Sequence, residues 1–241
     1  MELRIFKEYD ALSTAAAEIF VRASVDAIEA RGRFLVALSG GNTPAGLYRT
    51  LASEPYRNRV DWQKTFVFWG DERCVPPDDE GSNYHQADET LLSHVPIPRE
   101  NILRVKGELV PYEAAHAYAQ TLKEFAQPGL DWPRFDLVLL GMGADGHTAS
   151  LFPGSKVDVN SSTLAVTADY EGRPAERVTL TPPVFNSARK VMFLVTGEDK
   201  AEIFSHVLSK KSMPERLPAQ RIQPTDGELI WLVDEAAGRN L

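Results

Sequence analysis

His147 is the side chain in this sequence best suited to acid–base work. It stands two residues after Asp145 in the run Gly141-Met142-Gly143-Ala144-Asp145-Gly146-His147-Thr148, directly behind the apolar stretch Phe135-Asp136-Leu137-Val138-Leu139-Leu140. An imidazole exchanges protons near neutral pH, so His147 can draw a proton from water and return it to a leaving oxygen. Asp145 either orients and charge-stabilises that imidazole or folds the glycine turn through its own backbone. His85, His94, His116 and His206 fall on helical or pre-proline surface stretches and are read as structural.

Two further loops carry polar groups behind apolar runs. Gly70-Asp71-Glu72-Arg73 follows Phe66 to Trp69. The planar fork of Arg73 suits an anion or a polarised carbonyl. Asp71 and Glu72 are acid–base candidates, or supports for Arg73. A charged surface loop would have the same composition. Ser39-Gly40-Gly41-Asn42-Thr43 lies between a strand and a helix start. Glycines there admit close backbone approach, and a helix N-terminus offers free N–H groups to a phosphate. Ser39 and Thr43 add hydroxyls. No Lys-Ser/Thr follows, so this is not a P-loop, and a plain tight turn with a good N-cap fits as well.

Lys200 falls in the first turn of the helix after Val195-Thr196-Gly197. A cation is disfavoured there unless an anion is near. That anion is Glu198 or Asp199, or a bound phosphate. Asn83 and Tyr84 open another helix and offer polar contacts. No His, Cys, Asp or Glu group has metal-ligand spacing. Cys74 sits beside Arg73, but nothing marks it as a nucleophile.

These residues need elements to hold them. Apolar runs predict strands at Leu3 to Phe6, Phe34 to Leu38, Phe66 to Trp69, Ile102 to Val105, Phe135 to Leu140, Leu164 to Thr167, Arg177 to Leu180, Val191 to Val195 and Leu229 to Val233. Helices are expected from Ala11 to Glu29, with Leu12, Ile19, Val25 and Ile28 as its apolar spacing and Gly32 as its stop. Others start at Pro44 behind Thr43 as N-cap, run from Ser82 to about Leu92, from Pro111 to Phe125, and from Glu198 to about Leu208. Alternating strands and helices imply βαβ units and a mostly parallel sheet, whose ligands bind beyond the carboxyl ends of the strands. No Gly/Ser-rich linker divides residues 1–241, so one domain is expected.

A net charge of -8 argues against nucleic acid or an anionic membrane as partner, so an anionic substrate would need a local cluster of cations. One cysteine excludes an intrachain disulfide and fits a reducing, cytoplasmic setting. The N-terminal residues lack a signal peptide's apolar core, and no apolar run approaches the ~20 residues that span a bilayer. Gly141-x-Gly143-x-x-Gly146 formally matches a dinucleotide fingerprint. However, Pro153-Gly154 leaves little room for the crossover helix, and Asp145 would repel a pyrophosphate.

Taken in order, Leu38 to Pro44, Trp69 to Arg73 with Ser82-Asn83-Tyr84, Gly141 to Gly154, Thr179 to Pro182 and Gly197 to Ala201 resemble the 6-phosphogluconolactonase family of the glucosamine/galactosamine-6-phosphate isomerase superfamily. The resemblance implies an α/β, modified Rossmann-like fold with helices on both faces of the sheet, and no cofactor. It implies hydrolysis of 6-phospho-D-glucono-1,5-lactone in the pentose phosphate pathway, with His147 as base and Arg73 and Lys200 in the site. Ser39, Gly40, Gly41, Asn42, Thr43 and Lys200 would hold the phosphate, with Arg177 assisting. Asp71 and Asn83 would contact substrate. Arg73, with backbone amides from Gly143 to Gly146, would stabilise the oxyanion. A monomer or weak homodimer is expected. Two rivals stay open: a glucosamine-6-phosphate deaminase/isomerase, which wants a second acid near the His loop, and a non-catalytic sugar-phosphate effector domain, which would carry a helix-turn-helix.

Overall fold

The loops singled out above all leave the same edge of one parallel sheet in the computed structural model, which describes residues 1–157, 160–209 and 211–241. The first half of the chain runs β1 (Glu2–Phe6), α1 (Tyr9–Arg31), β2 (Phe34–Leu38), α2 (Asn42–Ala52), β3 (Thr65–Trp69), β4 (Asp71–Arg73), α3 (Asn83–Thr90) and α4 (Pro111–Glu124). It continues through β5 (Leu137–Leu140), β6 (Thr163–Thr167), β7 (Glu176–Leu180), α5 (Pro182–Asn186), β8 (Lys190–Val195), α6 (Ala201–Leu208), β9 (Glu228–Asp234) and α7 (Glu235–Gly238). Six strands pair in the order β1-β9-β8-β5-β2-β3, all parallel. A separate antiparallel sheet has the order β4-β7-β6.

Alternation along the parallel strands divides the core between two faces. Phe34, Val36 and Leu38 point to the side covered by α1, α2 and α3, where Phe20, Leu47 and Ala87 meet them. Leu35 and Ala37 point to the other side, where Tyr118 and Leu122 of α4, Val178 and Leu180 of β7 and Phe204 of α6 pack. Helices therefore cover both faces, and the small sheet shares the second. The chain moves outward from β2 to β3 on one side and from β5 to β8 on the other. The crevice between β2 and β5 is thus the switch point where open α/β sheets bind ligands.

Several elements differ from the sequence expectation. The buried residues of α1 are Leu12, Ser13, Ala16, Ala17, Phe20, Val21, Ala23, Ser24 and Ala27, while Val25 is exposed; the mostly small side chains bring this helix close to the sheet. Gly32 does end it, at φ 75. Helix α2 begins at Asn42 with Gly41 as an N-cap lacking a side-chain bond, so Thr43 is a helical residue and not the cap. Ile102 to Val105 forms no strand. It makes one parallel bridge, Val67 to Ile102, and then turns at Gly107, where a Cβ would lie 2.5 Å from the Arg73 carbonyl. Gly70 to Gly81, expected as a loop, contains β4. The strands expected near residues 164 and 177 are antiparallel partners in the second sheet. Residues Glu198–Lys200 form a 3-10 turn before α6.

Two buried tyrosines finish the strand ends that carry the site loops. Tyr48 donates its hydroxyl to the Ser39 carbonyl at 2.6 Å and accepts the Ser39 N–H at 3.1 Å. Tyr118 does the same for Trp69, at 2.9 and 2.8 Å. Each hydroxyl substitutes for a missing strand at a point where backbone groups are buried. Tyr118→Phe would strand both Trp69 groups. It should lower stability by roughly 2–3 kcal/mol, seen as a lower denaturant midpoint with unchanged slope. An unmoved midpoint would show that the pairing carries no net stability.

Candidate active site

A cavity of about 340 Å³ opens between the β2 and β5 loops, at the carboxyl edge. His147 forms part of its wall with its side chain 14% exposed. The segment after β5 makes no helix. Instead, Gly143 donates its N–H to the His147 carbonyl at 2.9 Å, and Gly146, at φ 82, donates to the Gly143 carbonyl at 3.0 Å. This compact turn returns the chain so that the imidazole lies over Gly143. A Cβ at that glycine would fall 2.2 Å from both Nδ1 and Cε1 of the ring.

Asp145 fills both roles the sequence left open. Its Oδ1 accepts the His147 backbone N–H at 3.0 Å and sits 2.6 Å from His147 Nδ1. Burial opposes ionisation of Asp145, but these bonds from His147 outweigh it and hold the carboxyl below its usual range. An ionised carboxylate only accepts, so Nδ1 carries the proton and Nε2 is left as the basic nitrogen. Phe152 lies against the ring at 4.5 Å and 30°, and Tyr170 meets it edge-on at 4.6 Å and 76°.

The small sheet supplies the cationic wall. Register places Arg73 of β4 directly opposite Arg177 of β7. Like charges facing each other across strands destabilise a sheet unless something anionic lies between. Arg73 Nη1 donates to the Gly81 carbonyl at 2.7 Å. Arg73 Nε and Arg177 Nε and Nη2 are buried without a hydrogen-bond acceptor among the described residues. Burial holds the Arg177 guanidinium below its usual range, with Arg73 and Arg173 adding to that and Asp71 opposing it. Asp71 Oδ2 accepts from Ser150 Oγ at 2.7 Å, and its carbonyl accepts from Asn83 Nδ2 at 2.8 Å.

Glu72 takes no part in the cavity. Its carboxylate accepts the backbone N–H groups of Arg73, Asn83 and Tyr84 at 2.8, 2.6 and 2.7 Å, and so ties β4 to the start of α3. Burial pushes the carboxyl up to about 7 against the pull of those N–H groups. Alternation along β4 sends Asp71 and Arg73 to the cavity and Glu72 away from it. Glu72 is therefore a helix anchor and not an acid–base group.

The third side is the start of α2, which has no side-chain cap and no acid in its first turn, so its partial positive charge is uncompensated. Gly40 packs against Asn83, whose Oδ1 a Cβ would meet at 1.8 Å. The Gly41 N–H is taken by Gln86 Oε1 at 2.9 Å and is not free for a ligand. Thr43 Oγ1 bonds Thr196 Oγ1 at 2.7 Å, which joins this loop to the end of β8. Lys200 Nζ lies 3.0 Å from Asp199 Oδ2 and also faces the cavity.

The residues expected to bind substrate line this cavity together with His147 and Arg73, while Asp145 stands behind His147 and the further candidates Glu72 and Tyr84 lie outside the lining. Tyr170, Glu171, Arg173 and Thr196 line it too and had not been singled out. The first three sit on the β6–β7 connection, where the only sequence mark is Glu171-Gly172. Among the described residues no three His, Cys, Asp or Glu side chains gather as a metal site would need. Gly143→Ala should clash with the His147 ring and crowd Asp145 Oδ1 at 3.0 Å, without backbone strain, since Gly143 is not left-handed. In denaturation it should destabilise the wild-type chain by about 1–3 kcal/mol but the His147→Ala background far less. Additive losses would place the cost in the backbone.

A family model described as glucosamine-6-phosphate isomerases/6-phosphogluconolactonase matches residues 7–231. A probable 6-phosphogluconolactonase 2 of Oryza sativa subsp. indica is 36% identical over 252 residues, covering 100% of this chain and 90% of that protein. A 6-phosphogluconolactonase of Synechocystis is 43% identical over 217 residues, covering 89% and 88%. The solved 6-phosphogluconolactonase of Trypanosoma brucei superposes with a TM-score of 0.88 at 28% identity, covering 100% of this chain and 98% of that one. With full-length similarity in sequence and in fold, the chain belongs to the glucosamine-6-phosphate isomerase/6-phosphogluconolactonase family.

Proposed function

We propose that this chain hydrolyses 6-phospho-D-glucono-1,5-lactone to 6-phospho-D-gluconate, the lactone-opening step of the pentose phosphate pathway, with His147 as general base. The Asp145–His147 pair beside the guanidinium nitrogens left without an acceptor, Nε of Arg73 and Nε and Nη2 of Arg177, carries this proposal. The lactonase names of the full-length relatives support it.

The substrate's phosphate lies against the start of α2 and Lys200, where helix dipole and ammonium act together. Asn42 and Thr43 offer backbone N–H groups, and Ser39 has a buried hydroxyl without a partner among the described residues. Nε2 of His147 takes a proton from water as the water oxygen adds to the lactone carbonyl. The developing oxyanion is met by the guanidinium of Arg73, with Arg177 alongside. The N–H groups of Gly143 and Gly146, first considered for that task, are spent inside their own turn. The bond from the carbonyl carbon to the ring oxygen then breaks, and the imidazolium returns its proton to that oxygen. The new carboxylic acid ionises in water. A lactone is an activated ester, so one oriented base with electrostatic support suffices.

The deaminase alternative moves a carbon-bound proton with a carboxylate base. Asp145 is committed to His147, Glu72 to α3, and Asp71 to Ser150 and Asn83. Wild-type protein should accelerate 6-phosphogluconate formation when the lactone is generated in place, and should release no ammonia from glucosamine 6-phosphate. The reverse pattern would exchange the two assignments. His147→Ala should lower kcat roughly 10²- to 10⁴-fold with a smaller change in KM. Unchanged turnover would remove His147 from the mechanism. Lys200→Ala should chiefly raise KM, and a KM that stays put would move the phosphate elsewhere.

A further inference from the structure

The β6–β7 connection is a tight hairpin tip. Tyr170 and Arg173 form a bridge, Arg173 donates its N–H to the Tyr170 carbonyl at 3.1 Å, and Glu171 and Gly172 between them have φ of 51 and 65. Two consecutive left-handed residues match the two-residue turn whose twist suits a hairpin. Glutamate is a poor choice for such a position, since its Cβ crowds the backbone. The tip nevertheless carries Tyr170, Glu171 and Arg173 to the cavity wall, and the Arg173 guanidinium comes within 3.7 Å of Glu171 Oε2.

The hydrogen bond to Asp145 fixes one atom of the His147 ring. It does not fix the ring plane, because the imidazole can still turn about the Nδ1 contact. The supporting turn fixes the His147 backbone, but its glycines, Gly141, Gly143 and Gly146, place no side chain against the ring. Restraint comes from two other rings. Phe152 covers one face of the imidazole, and Tyr170 meets it edge-on, with its ring centroid 5.8 Å from that of Phe152.

We propose that Tyr170 is a positioning residue for the reaction: together with Phe152 it clamps the His147 ring plane so that Nε2 faces the bound lactone. This rests on the lactonase function proposed above. The aromatic ring, and not the hydroxyl, makes the contact with the imidazole.

The test compares Tyr170→Ala, Tyr170→Phe and Tyr170→Leu with the wild-type protein. Tyr170→Ala should lower kcat roughly 10- to 100-fold while KM stays within about twofold, as misorientation of a reacting group predicts. Tyr170→Phe should restore turnover to near wild type, and Tyr170→Leu should not. Nitrogen-15 spectra of the His147 ring in the unliganded protein give a readout independent of turnover. Wild type and Tyr170→Phe should show one tautomer with the proton on Nδ1, and Tyr170→Ala should show averaged or broadened ring nitrogens. Thermal midpoints confirm that each variant is folded. Unchanged ring spectra in Tyr170→Ala would overturn the clamp, and so would a rise in KM at constant kcat. A wild-type chain without lactone turnover would sink the lactonase assignment and leave the spectra to judge the clamp.

Discussion

The 2.6 Å contact between His147 Nδ1 and Asp145 Oδ1 is the interaction around which the site is organised. It requires a turn tight enough to bring residues two apart face to face, and that turn is possible only with particular glycines. Gly146 adopts a left-handed φ, and Gly143 leaves the space that the imidazole fills. The turn in turn needs a fixed platform. The all-parallel register from β8 to β3 supplies one, because it delivers the loops after β8, β5, β2 and β3 to a common edge.

The wall opposite the histidine is held by a chain of polar contacts that crosses the molecule. Gly40 admits the Asn83 side chain, Asn83 bonds the Asp71 carbonyl, and Asp71 bonds Ser150, just past the histidine turn. Glu72 fastens the same β4 segment to the first turn of α3. A buried carboxylate with several N–H partners is costly to disturb, because each donor loses its acceptor at once. The rigid part of the site is therefore the polar seam between the two sheets. This explains why the charged run Asp71-Glu72-Arg73 divides its labour by strand alternation, with two residues facing the cavity and one anchoring.

Much of this was legible from the amino acids alone. The buried strands β2, β3, β5, β8 and β9 are continuous apolar runs ended by glycine or polar turns, so type and position followed directly. The loops behind them are rich in glycine and charge, and that composition marks a ligand-facing edge. What stayed hidden depends on partners distant in sequence. Strand β4 has only three residues, all charged, and exists because β7 pairs with it from about a hundred positions away. Ile102 to Val105 has strand composition but only one bridge. Tyr170 carried no signal because its place against His147 comes from a hairpin turn that folds back over the site.

The cationic cavity of a chain with net charge -8 presents a conflict that the site resolves locally. Arg73, Arg173, Arg177 and Lys200 all border the same space. Their field attracts an anionic substrate, and an acidic exterior sharpens the contrast between cavity and surface. The same field opposes the positive charge that His147 must accept from water in the proposed reaction. Asp145 answers that opposition at short range. It lies in direct contact with the ring, on the side turned away from the cavity, and it is already ionised before the reaction begins. Coulomb interaction falls with distance, so one half-buried carboxylate in direct contact works against guanidiniums that face the ring across the ligand space. The substrate's own phosphate neutralises part of the remaining field once bound. The arrangement thus joins attraction of an anionic guest to support for a base, and both follow from where the charges stand.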